Sequence, residues 1–323
     1  MVVTRKKRPA QAKEPERTAA PGRDAASEHL YLIGRPTLKR FLRYVRSHAL
    51  NPPSEASLSD EWHVANAVVR ALETEEAGRA DDPPMTVLGK EYEPLLIELL
   101  RNPLVRYGFN TAPSDVTMVE LDRLVVYQKH IDLEYVRELE RSLAPSPTPE
   151  QLFRFCLPSD PPQPPVTWSR VGSDTFVFVS SSNDLRFLGP MSLEPRHVKD
   201  YPPPGNLVGV VGLAVGFGSN FLNAFYAEKR LILNNGSHRA YALRKRGVTH
   251  APCIVQHVSS RDQLEVVAGA AIGRDPDVYL KHQRPAMLKD YFDARLHKVM
   301  PARRQLTQVT VRFETDESSV PAL

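Results

Sequence analysis

The residues best suited to chemistry in this sequence form the run Gly236-Ser-His-Arg239, which follows a short apolar segment. Glycine lets the backbone approach a ligand closely. Serine offers a hydroxyl group, and arginine can donate two parallel hydrogen bonds to phosphate oxygens. Histidine donates one hydrogen bond when neutral and carries a charge when protonated. These residue types, held in one turn, predict a phosphate-binding site at Gly236, Ser237, His238 and Arg239.

Local patterns predict how this turn is held. The apolar run Leu231 to Leu233 predicts a buried strand, and residues 234–236 predict a tight turn. Ser237 is a good N-cap for the helix that follows, and Gly247 suits the left-handed position that ends many helices. A second strand is predicted from 248 to 255. A helix that starts at a glycine turn gathers unpaired backbone amides and the positive end of the helix dipole, which together attract anions.

The order of strand, Asn-Gly-Ser-His-Arg, Ala-x-Ala-Leu-x-x-x-Gly and strand over residues 231–255 resembles the ParB/sulfiredoxin superfamily, whose members carry a G-x-x-R core. The segment 119–126, followed by a helix at Leu133 to Leu143, is similar to the opening strand and helix of that family. The resemblance implies that residues 236–239 face the phosphates of a nucleotide, with ATP or CTP as the ligand. Phosphoryl transfer would also need Mg²⁺.

The sequence departs from each branch of the family at the turn. Ser237 stands where sulfiredoxins have a nucleophilic cysteine, which argues against sulfinic-acid reduction. Asn235 stands where the related serine kinases have aspartate, and Ser237-His238 replaces the Glu-Arg pair of ParB proteins. Glu120 is the nearest candidate for the catalytic glutamate of the kinases, and no acidic metal ligand lies near the turn. Nucleotide binding is therefore favoured, and a weak ATPase, CTPase or phosphotransferase activity is left open.

The chain as a whole predicts an α+β fold. Thr37 precedes apolar residues at helical spacing, and similar runs follow through the first third of the sequence. The predicted organisation is a disordered basic tail at 1–28, a helical module at 29–113, a ParB/sulfiredoxin-like mixed β-sheet domain at 114–260, and a helical, basic C-terminal extension at 261–323.

Charge is concentrated at the N-terminus. Residues 1–24 carry seven Lys or Arg against three acidic residues, which accounts for the whole net charge of +4. A neutral body weakens the case for binding nucleic acid by bulk electrostatics. Two alternatives to a nucleotide-binding protein nevertheless stay open. One is a DNA-associated ParB-like protein that uses the tail and the basic segment 284–304, and the other is a non-catalytic scaffold of the same fold.

Two further apolar stretches lie in the second half of the chain. Phe176–Val179 and Leu185–Leu188 predict a β-hairpin. The run Leu207 to Phe217 predicts core or a buried loop, and its 11 residues are too few to cross a membrane, so no membrane partner is expected.

The cysteine content bears on location and on metal binding. Two cysteines, Cys156 and Cys253, do not make a disulfide framework, which favours a reducing cytoplasm. The pattern His250-x-x-Cys253-x-x-x-His257 has zinc-ligand residue types but lacks a fourth ligand. A structural role is therefore expected for these residues, and no metal site is predicted.

Overall fold

The computed structural model describes residues 26–159, 163–182, 184–194, 205–273 and 275–319, and it has an α+β fold, which confirms the predicted class. The α-helices are α1 (Leu38–His48), α2 (Glu55–Glu75), α3 (Glu93–Arg101), α4 (Pro103–Gly108), α5 (Leu133–Ser142), α6 (Pro149–Cys156), α7 (Ser237–Lys245), α8 (Arg261–Gly273) and α9 (Asp277–Leu280). The strands are β1 (Ala26–Leu32), β2 (Met85–Val87), β3 (Ser114–Glu120), β4 (Val125–Val126), β5 (His130–Asp132), β6 (Val166–Val171), β7 (Thr175–Ser180), β8 (Leu185–Leu193), β9 (Val210–Phe217), β10 (Asn223–Ala227), β11 (Arg230–Asn235), β12 (His250–His257), β13 (His297–Arg303) and β14 (Thr307–Arg312).

A mixed sheet of six strands forms the centre of the fold, in the order β2-β3-β12-β10-β11-β4. Strand β10 runs parallel to β12, and β11 runs parallel to β4, whereas the other neighbours are antiparallel. Side chains on β11 alternate between two apolar clusters: Leu231 and Leu233 enter one, and Ile232 enters the other. The strand is buried on both faces, as its continuous apolar sequence predicts.

Helix α7 follows β11 directly and is buried from Ser237 through Leu243. Its apolar residues Ala240, Ala242 and Leu243 pack into the main core. A helix buried around most of its circumference has no solvent face for polar residues. The polar side chains of its first turn must therefore find partners inside the protein or in a ligand.

A second sheet joins distant parts of the chain, in the order β13-β1-β5. The segment expected to be a helical module therefore begins with a strand, and the expected helical C-terminal extension contains β13 and β14 as well as α8 and α9. Sequence patterns missed β1 and β13 because each is stabilised by a partner about 270 positions away, with Ala26 opposite Arg303. The predicted basic tail lies outside the described residues as far as residue 25, and residues 26–28 belong to β1.

The predicted hairpin of 176–179 with 185–188 is wrong. Strand β7 pairs with β6 and β14, and β8 pairs with β9. Gly172 at φ +76° makes the tight turn between β6 and β7, so the shorter connection forms the hairpin. The run expected to be core or a buried loop is also different, because Val210–Phe217 is a strand with exposed side chains such as Val211.

No helix in the part of the chain that the structure describes has both the length and the apolar content needed to cross a membrane.

Candidate functional site

The turn between β11 and α7 depends on Gly236, which adopts the left-handed conformation at φ +92° and is the N-cap of the helix. The prediction of Ser237 as N-cap is therefore off by one position, and Ser237 is the first helical residue. A Cβ atom at Gly236 would lie 2.8 Å from Leu222 Cδ1 and 3.1 Å from Leu222 Cα. Glycine is needed here for its backbone conformation and because residue 222 packs against it.

Three backbone amides point out of the helix start without an acceptor among the described residues: those of Ser237, His238 and Arg239. The amide of Gly236 is instead occupied, because it donates to Asn235 Oδ1 at 2.7 Å. Unpaired amides and the helix dipole favour a negative ligand at this end of α7. The side chain of Ser237 adds a hydroxyl group beside them, although only 6% of this residue is exposed.

His238 is turned toward α5. Its Nε2 atom accepts a hydrogen bond from the backbone amide of Asp132 at 3.0 Å, and its ring meets the edge of Tyr135 with centroids 5.3 Å apart. Burial lowers the pKa of His238 to about 4. The ring is therefore neutral near pH 7, with its proton on Nδ1, and it anchors α7 to the start of α5. A direct contact of its Nε2 with a phosphate does not fit this arrangement.

Arg239 is 5% exposed and has an incomplete set of partners. Its Nη1 donates to the backbone oxygen of Asn220 at 2.7 Å, and its guanidinium lies 5.7 Å from the centroid of the Phe155 ring. Its Nε atom is buried and has no acceptor. Burial lowers the pKa of Arg239, and the structure describes no carboxylate in salt-bridge contact with it. A buried donor without an acceptor costs about 1–3 kcal/mol, which an anionic ligand would recover.

The segment 218–222, which we call the strap, connects β9 to β10 and lies over the turn. Asn235 Nδ2 donates to the backbone oxygen of Ser219 at 3.1 Å, and Arg239 donates to Asn220. The strap is itself fixed at its far end, where the amide of Leu222 donates to the oxygen of Cys156 at 2.8 Å. The turn is therefore covered by backbone rather than open to solvent.

Two residues that the sequence reasoning missed lie in the segment after β4, and one of them, Tyr127, contacts the turn. Because β4 and β11 are parallel neighbours, the segments that follow them leave the sheet at the same edge. Tyr127 donates its hydroxyl proton to the oxygen of Asn234 at 2.7 Å, and its ring lies 6.4 Å from that of Tyr279. The Lys129 ammonium lies 5.5 Å from the Tyr279 ring centroid. The available signal was the polar run 127–130 directly after the buried pair 125–126.

The positive charge of Lys129 is disfavoured by its surroundings. Burial, followed by repulsion from Arg35 and Arg40, lowers its pKa to about 8. The Asp290 carboxylate opposes this shift with a smaller effect.

Glu120 does not lie at the turn. Asn235 pairs with Asn223 on β10, and the register continues through β12 to Val116 on β3. Three strand spacings separate Asn235 from Val116, which is about 14 Å. Glu120 lies four residues farther along β3, a displacement of ~13 Å at right angles to that spacing. Glu120 and Asn235 are therefore roughly 19 Å apart.

The residues of the zinc pattern on β12 have other contacts within the fold. Cys253 is buried and its thiol donates to the oxygen of Ile254, while His257 contacts Asp115 at 3.2 Å. His250 and Cys253 are an odd number of residues apart, so their side chains lie on opposite faces of the strand. Within the described ranges, no group of three or more His, Cys, Asp or Glu side chains is arranged to hold a metal ion.

The basic C-terminal segment is largely neutralised. Lys289 pairs with Glu76, Arg295 with Asp293, and Lys298 with Glu61. Cations held in salt bridges are less available to a DNA backbone than free ones, so this segment gives the DNA alternative no specific support.

Protein-family models, curated proteins and solved structures were each compared with the chain, and none of the three comparisons finds a match.

Proposed function

We propose that the chain binds the phosphates of a nucleotide, ATP or CTP, in a ParB/sulfiredoxin-like domain. One observation supports this most directly. Three unpaired amides at the start of a buried helix lie next to an arginine that is buried, lacks a carboxylate partner and has an unused donor. A structural arginine at this depth would be expected to have a carboxylate partner. An anion that binds from outside would supply the missing acceptors.

The bound phosphate would accept hydrogen bonds from the amides of residues 237–239 and from the Ser237 hydroxyl. Arg239 would donate from Nε and from a second nitrogen, in the forked geometry that suits phosphate. His238 acts differently from what the family resemblance implies, because it positions α7 and keeps Nε2 for Asp132. Tyr127, on the neighbouring strand end, would extend the site with an aromatic surface.

The geometry favours binding over catalysis. Glu120, the candidate general base, is remote from the turn, and acidic side chains that would hold Mg²⁺ are missing from the described site. Phosphoryl transfer depends on positioned charges and metal ions. Mg²⁺ would therefore arrive with the nucleotide and be held mainly by its phosphates.

Calorimetric titration of the full chain with ATP and with CTP, each with and without Mg²⁺, tests the proposal. Replacing Arg239 by Ala removes a charge-assisted phosphate contact of about 1.5–3 kcal/mol, so we expect at least tenfold weaker binding. Lys245→Ala is the matched control, because it removes the same charge from the other end of the same helix, where Lys245 pairs with Glu140. Equal affinities for wild type and Arg239→Ala, or no binding of either nucleotide to any of the proteins, would contradict the proposal.

A further inference from the structure

The strap occupies one of the donors that a phosphate would use, the Nη1 of Arg239, and lies over the turn that holds the others. Its carbonyl oxygens are hydrogen-bond acceptors, as phosphate oxygens are, and two of them already receive donors from the turn. Arg239 Nη1 donates to Asn220 O at 2.7 Å, and Asn235 Nδ2 donates to Ser219 O at 3.1 Å. Asn220 Oδ1 lies 3.4 Å from the same Nη1 atom, so this residue offers Arg239 two oxygens.

Asn235 performs two tasks with one side chain. Its amide nitrogen holds the strap through Ser219, and its Oδ1 accepts the backbone amide of Gly236 at 2.7 Å. Without this side chain, the Gly236 amide would join the three unpaired amides that follow it, and the strap would lose one of its two hydrogen bonds to the turn. Asn235 is therefore placed as a latch between the strap and the phosphate-binding amides.

We propose that the strap is an internal competitor for the phosphate site, latched by Asn235, and that the phosphates of a nucleoside triphosphate displace it. This inference rests on the proposed function and adds a form of regulation to it. The nucleotide binds only the fraction of molecules in which the strap is released, so the apparent Kd is the intrinsic Kd divided by that fraction. Two net hydrogen bonds lower that fraction about 10- to 100-fold.

Release of the strap would also affect the β8–β9 hairpin at the protein surface. The strap continues directly from β9, and the amide of Gly218 lies 3.4 Å from the oxygen of Asp184, just before β8. The β8–β9 hairpin exposes apolar side chains, among them Phe187, Met191 and Val211. Displacement of the strap would loosen the base of this hairpin.

Asn235→Ala is the variant that tests the latch. If the strap competes with ligand, the variant binds Mg-ATP or Mg-CTP about five- to tenfold more tightly than wild type, because one net hydrogen bond that opposes binding is gone. Asn234→Ala is the matched control, since the neighbouring amide side chain donates to Asn223 on β10 rather than to the strap. The control should bind no more tightly than wild type. Equal or weaker binding by Asn235→Ala, measured on protein whose thermal unfolding confirms that it is folded, would overturn the inference.

Hydrogen exchange of the wild-type chain gives a second, independent measurement. On addition of saturating Mg-ATP or Mg-CTP, exchange should become faster in residues 218–221 and slower in 237–239. Calorimetric binding with no faster exchange in the strap would leave the proposed function standing and remove the competitor. If Asn235→Ala binds nucleotide and the wild-type chain does not, the proposed function and competition by the strap are both supported. If neither protein binds, both hypotheses are contradicted.

Discussion

Three arginines are almost completely buried among the described residues: Arg230, Arg239 and Arg284. Arg230 pairs with Asp81, and the surroundings of the other two differ from each other. Arg284 is 1% exposed and donates to both oxygens of Asp290, at 2.5 and 2.6 Å, and to Glu76 at 2.8 Å. Arg239 is 5% exposed and donates to the backbone oxygen of Asn220, with its Nε unpaired. Burial disfavours the charge of both, but the hydrogen bonds that Arg284 donates to Asp290 and Glu76 raise its pKa, whereas the pKa of Arg239 is lowered.

The difference separates an arginine that stabilises the fold from one that is available to a ligand. Arg284 ties α2 to the turn that follows α9, and its single charge faces two carboxylates inside the protein, those of Asp290 and Glu76. Arg239 has the same burial without the counter-charge, which is unfavourable for the free protein. A group kept in such an environment is a candidate for function. Substitutions at Arg284 and its partner Asp290 should therefore cost much more unfolding free energy than substitution of Arg239.

The largest effect is expected from Asp290→Ala. The variant leaves the Arg284 guanidinium buried with only Glu76 opposite it, and breaking a buried pair in this way costs about 3–5 kcal/mol. Urea unfolding at neutral pH measures the loss. Asp293→Ala is the control, because its partner Arg295 is exposed and such surface pairs contribute about 1 kcal/mol or less. A similar small loss for both variants would mean that the buried pair of Arg284 and Asp290 contributes no more to stability than an exposed pair.

The glycine at the turn gives the next largest effect. Gly236→Ala combines a strained left-handed backbone, about 1–2 kcal/mol, with a methyl group 2.8 Å from Leu222 Cδ1. We expect a loss of about 2–4 kcal/mol in unfolding free energy. Gly247 at φ +82° has no atom within 4 Å of the added Cβ, so Gly247→Ala isolates the backbone strain. Equal losses for the two variants would show that the strap does not pack tightly on the turn.

Acid stability tests the placement of His238. Its pKa of about 4 in the folded protein lies below the usual 6.5, so the unfolded chain binds more protons between these values. Stability should therefore fall as pH is lowered from 6.5 to 4, and this one group accounts for about 2 kcal/mol at pH 4.5. His238→Gln keeps an acceptor for Asp132 without the titration, and the difference between its unfolding free energies at pH 7 and pH 4.5 should be smaller by that amount. The exposed His250→Gln variant should behave as wild type. An unchanged pH dependence in His238→Gln would place the histidine outside the core.

Local patterns were sufficient for the elements that hold the site. The strand at 231–233, the glycine turn, the helix to its last turn and the strand at 248–255 were all predicted, because each is encoded by its own apolar spacing and by Gly236 and Gly247. Thr37 and Asp132 also cap their helices as expected, by accepting backbone amides of the first turn.

What the sequence could not show was the set of partners around the turn. The strap at 218–222 and Tyr127 reach the site through strand pairing and loop packing, which leave no periodic signal in the chain. The same limitation applies to His238, which is neutral because it is buried and whose Nε2 accepts from the amide of Asp132, more than 100 positions away. Residue types at the turn predicted donors, but their availability is decided by non-local neighbours.

Arg239→Met should have the smallest effect on stability. The substitution removes one hydrogen bond to a carbonyl and a buried charge without a counter-ion, while methionine keeps an apolar contact with Phe155. These contributions oppose each other, so we expect the unfolding free energy to change by about 1 kcal/mol or less. Arg284→Met, in contrast, leaves the buried Asp290 with only Arg35, at 3.8 Å, opposite its charge and should cost about 3–5 kcal/mol. Urea unfolding of the two methionine variants side by side measures the difference. A loss from Arg239→Met as large as that from Arg284→Met would make Arg239 a structural residue and remove the physical reason for a ligand at the turn.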